Sequence, residues 1–146
     1  MKVFSFIGMM LLWVGLMSFN GWAGDRPTAV EDRTMSDVVV AQDANGKEQQ
    51  VVLGQRVLIR LAENPTTGYQ WEIEACDARV LTPAGSDFAA TPGGALGAGG
   101  LRTFVFKVLA PGQATVRLIY RRGWEPKEQA IDRFVIRIDV REKAPS

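Results

Sequence analysis

The chain has 146 residues, a length that suits one domain. It carries 17 Lys and Arg against 16 Asp and Glu, so bulk charge does not favour nucleic acid or another polyanion as a partner. It has no His, which excludes Ser-His or Cys-His nucleophile pairs and His-based zinc sites, and its single Cys, Cys76, excludes an intramolecular disulfide.

The N-terminal residues 1–23 have the pattern of a secretory signal. Lys2 precedes an uncharged apolar run from Val3 to Met17, and the small residues Gly21 and Ala23 form a cleavage pattern. A membrane span needs about 20 apolar residues, more than this run contains, although an uncleaved N-terminal anchor is the alternative. We expect cleavage after Ala23 and export to a periplasm or to the outside.

The remaining chain is predicted to form one domain over residues 35–142, between a flexible arm (24–34) and a short tail (143–146). Apolar and polar residues alternate with period two in segments separated by turn signals, and no stretch has a helical stripe. The pattern favours an all-β fold, an antiparallel β-sandwich of Greek-key type, with a small barrel as the alternative. The predicted strand segments are 36–41, 50–53, 56–61, 70–75, 79–82, 86–89, 104–108, 116–120 and 134–140.

The first loop, residues 64–69, is Asn-Pro-Thr-Thr-Gly-Tyr and is longer than a hairpin requires. Pro65 fixes its own φ, Thr66 and Thr67 have few rotamers, and Gly68 permits positive φ. Such a loop loses little entropy on binding. A plain structural turn is the alternative, and Asn64 and Tyr69 complete the segment.

The second loop, residues 93–100, is rich in glycine and contains Gly97, Ala98, Gly99 and Gly100. Glycines allow another backbone to approach closely and to pair through main-chain groups. The segment does not fit a phosphate-binding loop, because a predicted strand follows it and the Walker pattern is missing. A flexible linker is the alternative.

The third loop, residues 121–126, contains Arg122 and Trp124. Trp124 falls outside the strand alternation and is flanked by charges, so we expect it to be exposed. An exposed Trp beside Arg is typical of binding hot spots. The alternatives are a Trp folded back on the sandwich edge and an Arg that is only solvated.

Together the three loops resemble the chagasin family, whose members inhibit papain-like cysteine peptidases. The motif over 64–69, the glycines of 97–100 and Arg122-Gly123-Trp124 occur in the family's chain order. The resemblance covers roughly residues 35–141, and it implies an immunoglobulin-like β-sandwich with the three loops at one end.

The resemblance also implies a role for each loop and a reversible, tight, competitive mechanism without a covalent bond, metal or cofactor. Thr66 and Thr67 would block the catalytic cysteine of the peptidase. Gly97–Gly100 would pair main chain to main chain on the non-primed side, and Arg122 and Trp124 would dock on the primed side. The protein partner would be a papain-like cysteine peptidase, with no nucleic acid or membrane partner after signal cleavage.

Gly123 departs from the family pattern, which usually has Pro at this position. Pro restricts the free chain, so its absence predicts a looser third loop and an ordering cost of about 0.4–1 kcal/mol. We expect weaker binding than in a Pro-containing relative.

Two other functions are compatible with a β-sandwich. A carbohydrate or cell-envelope binding module predicts a row of aromatic residues on one face, whereas Trp124 is the single candidate here. An enzyme with paired carboxylates, such as Asp87 and Glu125, predicts acidic residues that converge on a cleft, which the spacing does not support. Cys76 is interpreted as a small buried hydrophobic residue, with a reactive thiol or an intermolecular bridge as the alternatives.

Overall fold

A computed structural model describes residues 36–142, and its strands form a sandwich of two four-stranded sheets. The alternating segments become strands because each can bury one face against the opposite sheet. The strands in chain order are β1 (Val38–Val40), β2 (Glu48–Val52), β3 (Arg56–Glu63), β4 (Tyr69–Ala75), β5 (Leu81–Ala90), β6 (Gly100–Val108), β7 (Gly112–Arg122) and β8 (Asp132–Arg141).

The first sheet has the strand order β1-β3-β6-β5, and the second has the order β2-β8-β7-β4. The central pairs are antiparallel, whereas β1 pairs in parallel with β3 and β2 in parallel with β8. The predicted all-β, immunoglobulin-like sandwich is therefore confirmed, with two parallel edge pairings that alternation alone does not reveal.

The core lies between the two sheets and consists of the inward-facing residues of the alternating strands. Full burial of one such side chain contributes about 1.5–3 kcal/mol. Its largest fully buried members include Ile59, Leu61, Leu81, Phe106, Leu118, Phe134, Ile136 and Ile138.

Several strand boundaries differ from the sequence prediction. Residues 81–82 of the predicted segment 79–82 and the whole of 86–89 belong to one strand, β5, whose register with β6 shifts between Pro83 and Gly85, whereas Arg79 and Val80 lie in the preceding turn. The third loop is shorter at its start, because β7 extends through Arg121 to Arg122 as it pairs with β4.

Cys76 is a free cysteine that packs against the core. Its thiol donates to the carbonyl oxygen of Leu81 over 3.4 Å. The predicted signal (1–23), arm (24–34) and tail (143–146) lie outside the described residues. Between residues 36 and 142 there is no helix long and apolar enough to cross a membrane.

Candidate functional site

The first loop contains one turn of 3-10 helix over Pro65–Thr67, between β3 and β4. The Asn64 side-chain oxygen accepts hydrogen bonds from the amide (3.2 Å) and the hydroxyl (2.6 Å) of Thr66. The Asn64 carbonyl accepts from the amide (3.2 Å) and the hydroxyl (2.7 Å) of Thr67. Asn is a favoured N-cap because its side chain satisfies amides that the start of a helical turn leaves unpaired. Asn64 therefore adds hydrogen bonds to the stiffness expected from Pro65 and the threonines.

Gly68 ends this turn in the left-handed region, at φ +79°, and its amide donates to the Pro65 carbonyl over 3.0 Å. A Cβ atom at this position would lie 2.6 Å from the Cη2 atom of Trp124. The absence of a side chain thus lets the Trp124 ring approach the first loop. Gly68 is where the first and third loops pack together.

The base of the first loop is held by the buried carboxylate of Glu63. One oxygen accepts from Nε (3.1 Å) and Nη2 (2.6 Å) of Arg102 on β6. The other accepts from the Trp71 amide on β4 over 2.8 Å. A buried carboxylate is tolerated when it is paired and hydrogen-bonded. Glu63 therefore ties the last residue of β3 to both sheets.

Tyr120 also stabilises the start of the first loop. Its hydroxyl oxygen accepts from the Asn64 amide over 3.2 Å. Its ring stacks on Trp71 with centroids 5.0 Å apart, and the Tyr69 ring lies 5.6 Å away. Tyr69 thus belongs to an aromatic cluster beneath the loops.

Sequence reasoning missed the roles of Glu63, Arg102 and Tyr120. A signal for Glu63 exists in the chain: Val57, Ile59 and Leu61 face the core, and Glu63 is the next residue on that face. A carboxylate in an inward position requires a cationic or hydrogen-bonding partner. The identity of that partner, 39 positions away, depends on the pairing of β3 with β6.

The second loop is joined directly to the first. The side-chain amide of Asn64 donates to the Gly97 carbonyl over 2.7 Å. Within the loop, the Ala98 amide donates to Ala95 and the Thr91 amide to Gly99, each over 3.0 Å. Gly97, Ala98 and Gly99 therefore lie beside the first loop, as the predicted site requires.

Gly100 has a different environment from the three residues before it. It is the first residue of β6 and lies opposite Glu63 of β3 on one side and Ala90 of β5 on the other. A Cβ atom here would overlap with the Ala89 carbonyl oxygen. Gly100 is therefore needed for close packing inside the sheet. Gly100 thus lies between two strands, whereas Gly97–Gly99 lie in the loop itself, and the binding role of all four residues stays a prediction.

Leu96, in the second loop, is fully exposed to solvent. It borders a groove of about 400 Å³ between the first and second loops, which Pro65, Thr66 and Phe88 also line. Sequence reasoning did not single out this residue. The available signal was a large apolar side chain among glycines and alanines, in a loop with no strand alternation to bury it.

Arg122 lies at the end of β7 and contacts both neighbouring loop segments. Its guanidinium carbon is 4.4 Å from the centroid of the Tyr69 ring, a cation–π contact. Its Nε donates to the Thr67 carbonyl over 3.4 Å, and Nη1 lies 3.5 Å from a Glu125 carboxylate oxygen. Arg122 is therefore a support for the first loop as well as a surface charge. Trp124, beside it, has 74 % of its surface exposed, as expected.

The described part of the chain offers little for the two rival functions. Trp124 is the one aromatic among its exposed large hydrophobic residues, so no row of aromatics lies on one face of the domain. Asp87 lies within β5 opposite Thr103, whereas Glu125 follows β7 in the other sheet and pairs with Arg122. No group of three or more acidic or Cys side chains within residues 36–142 is arranged to hold a metal ion.

The three loops thus meet at one end of the sandwich through direct contacts. Asn64 bonds to Gly97, Arg122 bonds to Thr67, and Trp124 packs on Gly68. What they build is a binding surface of backbone groups, hydroxyls and exposed apolar side chains.

Comparison with known proteins gives a family for this arrangement. The model of the Chagasin family peptidase inhibitor I42 matches residues 50–138. Chagasin from Trypanosoma cruzi is 33 % identical over 101 residues, which cover 66 % of this chain and 92 % of the relative. Amoebiasin-1 from Entamoeba histolytica is 30 % identical over 102 residues, which cover 69 % and 97 %.

A solved structure has the same fold. The cysteine protease inhibitor EhICP2 from Entamoeba histolytica superposes with a TM-score of 0.62 at 22 % identity, covering 71 % of this chain and 94 % of that one. With the family match over most of the described sandwich and three loop motifs in contact at one end, the chain belongs to the chagasin family of peptidase inhibitors.

Proposed function

We propose that this protein inhibits papain-like cysteine peptidases by inserting its three joined loops into the active-site cleft. The observation that carries the proposal is the cluster of contacts linking the loops, above all the 2.7 Å hydrogen bond from Asn64 to Gly97. The cysteine class of the target follows from the resemblance of the three loop motifs. Binding is reversible and competitive, and it uses no covalent bond and no cofactor.

The first loop supplies the centre of the binding surface. Its backbone is turned into 3-10 geometry over Pro65–Thr67, so it does not present an extended peptide bond to the catalytic cysteine. A peptide bond must be held in near-attack geometry to be cleaved. Thr66 and Thr67 can therefore fill the catalytic centre while the chain stays intact.

The flanking loops enlarge the contact on both sides. Gly97–Gly99 offer main-chain groups to the non-primed side, where the exposed Leu96 provides an apolar contact. Trp124 offers a large exposed ring to the primed side, and Trp is among the residues that contribute most to interface energy. Because the loops are held before binding, little conformational entropy is lost on association.

The test is a titration of papain, assayed with a fluorogenic peptide substrate, against residues 24–146. We expect stoichiometric inhibition that is reversed by dilution and competed by substrate, with the inhibitor recovered uncleaved. Trp124→Ala, and separately Thr66→Ala with Thr67→Ala, should weaken inhibition. Leu109→Ala is the matched control, because Leu109 is an exposed apolar residue in the turn between β6 and β7, away from the loops.

A second experiment distinguishes reversible blocking of the active site from covalent trapping of the catalytic cysteine. Papain whose active-site cysteine has been carbamidomethylated should still bind the inhibitor, though less tightly because of the added group. Absence of inhibition of papain and of a cathepsin L-type enzyme at micromolar concentration would refute the proposal. The binding-module function would then take its place.

We further propose that the protein is exported. Support comes from the basic Lys2, the uncharged run that follows it and the small residues before Gly24. Expression of the full chain in a bacterium with a secretory pathway, followed by mass analysis of the product, tests this. A product beginning at Gly24 outside the cytoplasm is expected, and an uncleaved chain in the membrane fraction would support the anchor instead.

A further inference from the structure

The side chain of Arg121 contacts the third loop at three points. Its Nη1 atom donates to the carbonyl oxygens of Arg122 (3.3 Å), Gly123 (3.3 Å) and Glu125 (2.6 Å). The side chain is only 14 % exposed, and its bonds to Arg122 and Glu125 are partly shielded from water, whereas that to Gly123 is exposed. A single guanidinium thus forms hydrogen bonds to three backbone carbonyls of the segment that carries Trp124.

The same guanidinium is anchored to the neighbouring strand. Its Nε and Nη2 atoms lie 3.0 Å and 2.8 Å from a carboxylate oxygen of Glu72 on β4. Arg has five N–H donors in a rigid planar fork, so one side chain can serve the carboxylate and the carbonyls together. Arg121 therefore connects the rigid sheet to the third loop.

The third loop needs such a constraint at Gly123. A Cβ atom at this position would meet nothing within 4 Å, so neighbouring side chains do not confine the residue. Its φ is not positive, and the Glu125 amide donates to the Arg122 carbonyl over 3.0 Å, so Gly123 is the second residue of a turn, a position where Pro is favoured. The looseness expected from Gly in place of Pro is thus opposed by hydrogen bonds that the sequence pattern did not reveal.

We propose that Arg121 is a positioning residue that holds the third loop, and with it Trp124, in the conformation that binds the peptidase. It takes the place of the conformational restriction that Pro would supply at position 123. Arg121 acts through the loop backbone and need not touch the partner. The part that concerns inhibition rests on the proposed function, whereas the ordering of the loop does not.

The ordering of the loop is tested on the free protein. Residues 24–146 contain two Trp residues, Trp71 in the core and Trp124 in the loop, so their indole N–H signals are easily assigned by NMR. The heteronuclear NOE of the Trp124 indole and of the 123–125 amides should be close to core values in the wild type. It should fall in Arg121→Gln and in Arg121→Lys, because Lys keeps the charge near Glu72 but lacks the planar fork.

Arg117→Gln is the matched control for these variants. Arg117 is an exposed residue four positions earlier on β7, and its side chain leaves the same face of the sheet. Its replacement should leave the loop signals unchanged. The Trp71 indole reports whether each variant keeps the fold, and Glu72→Gln provides a milder perturbation if Arg121→Gln unfolds.

The effect on inhibition is tested by rescue. Arg121→Gln should raise the dissociation constant for papain about tenfold, the change expected when the binding-competent form falls to about one tenth of the population. The loss should lie in the association rate, since the bound complex is unchanged. Gly123→Pro should have little effect in the wild type but should restore binding in the Arg121→Gln background, a non-additive result.

The outcomes separate the two proposals. Unchanged Trp124 order in both Arg121 variants overturns the inference, whatever the inhibition assay gives. Reduced order with unchanged papain binding, or equal effects of Gly123→Pro in both backgrounds, overturns the link to binding. Reduced order in a chain that never inhibits would refute the proposed function and leave the positioning of the loop by Arg121 intact.

Discussion

At the scale of single residues, the Asn64 side chain forms hydrogen bonds in two loops at once. Its side-chain oxygen caps the turn of the first loop through Thr66, and its side-chain nitrogen reaches Gly97 in the second loop. Both ends of one amide are used, so neither Asp nor a hydrophobic residue of similar size can replace it. The two tasks can be separated by mutation.

Asn64→Asp retains the capping oxygen but loses the donor to Gly97 and places a negative charge against a carbonyl. We expect a stability loss of about 1 kcal/mol together with weaker inhibition of papain. Asn64→Ala removes both functions, and loss of an N-cap alone costs about 0.5–2 kcal/mol. Urea unfolding and the inhibition constant measure the two effects. Wild-type inhibition by Asn64→Asp would show that the bond between the loops is dispensable.

Gly68 and Gly46 form a natural pair for testing the contact with Trp124. Both have positive φ, +79° and +78°, but a Cβ atom at Gly46 would meet nothing within 4 Å. Gly→Ala at either site should cost about 1–2 kcal/mol of stability, because left-handed backbone is unfavourable for an L-residue. Only Gly68→Ala should also displace the Trp124 ring and weaken inhibition. Equal inhibition by the two variants would contradict the role given to this packing.

At the scale of elements, the loops are positioned by the strand ends on which they stand. Glu63, Gly100 and Ala90 lie side by side at the ends of β3, β6 and β5, and Tyr69 lies opposite Arg122 in the other sheet. Antiparallel pairing in this register brings the three connections to one end. Directly beneath them, the Glu63 carboxylate pairs with Arg102 in its own sheet and accepts from the Trp71 amide of the other, so it links the two sheets.

Glu63→Gln tests this link between the two sheets. The amide can offer an oxygen to Arg102 or to the Trp71 amide but not to both, so one buried donor loses its partner. We expect a loss of about 2 kcal/mol in unfolding free energy and weaker inhibition through a displaced first loop.

Asp37→Asn is the control, because the Asp37–Arg56 pair is exposed, with side-chain exposures of 30 % and 55 %. An exposed ion pair contributes about 0–1 kcal/mol, so this change should be nearly neutral. Equal losses in the two variants would contradict the structural importance of Glu63.

At the scale of the whole molecule, the sandwich is stable without a disulfide because its two inner faces form one apolar core. Cys76 adds to that core as a thiol. Burial raises the pKa of Cys76, and the nearby Asp77 carboxylate raises it further. The folded state therefore holds the thiol proton more tightly than the unfolded chain does.

This raised pKa makes a stability contribution that depends on pH. It is fully present below the unfolded thiol pKa of about 8.5 and is lost as the pH rises through the folded pKa. The difference in unfolding free energy between wild type and Cys76→Ala should therefore shrink between pH 7 and pH 10. Urea titrations at several pH values measure this difference. A difference that stays constant with pH would show that folding does not change the pKa of the thiol.

The sequence alone determined the class of fold and the identity of the three loops. Period-two alternation requires strands with one buried face, and Asn64–Gly68 combines residues whose local preferences already define a stiff turn. The exposure of Trp124 was predictable too, because it lies outside any alternating face.

The tertiary structure decided what joins these parts. Strand pairing put Gly100 inside a sheet, gave Glu63 its partner Arg102, and made β1 and β2 parallel edges. It also placed Glu72 and three loop carbonyls around Arg121. The contacts between strands, such as that of Arg121 with Glu72 49 positions away, join residues distant in sequence. No local propensity encodes them, because they exist only once the register of the strands is set.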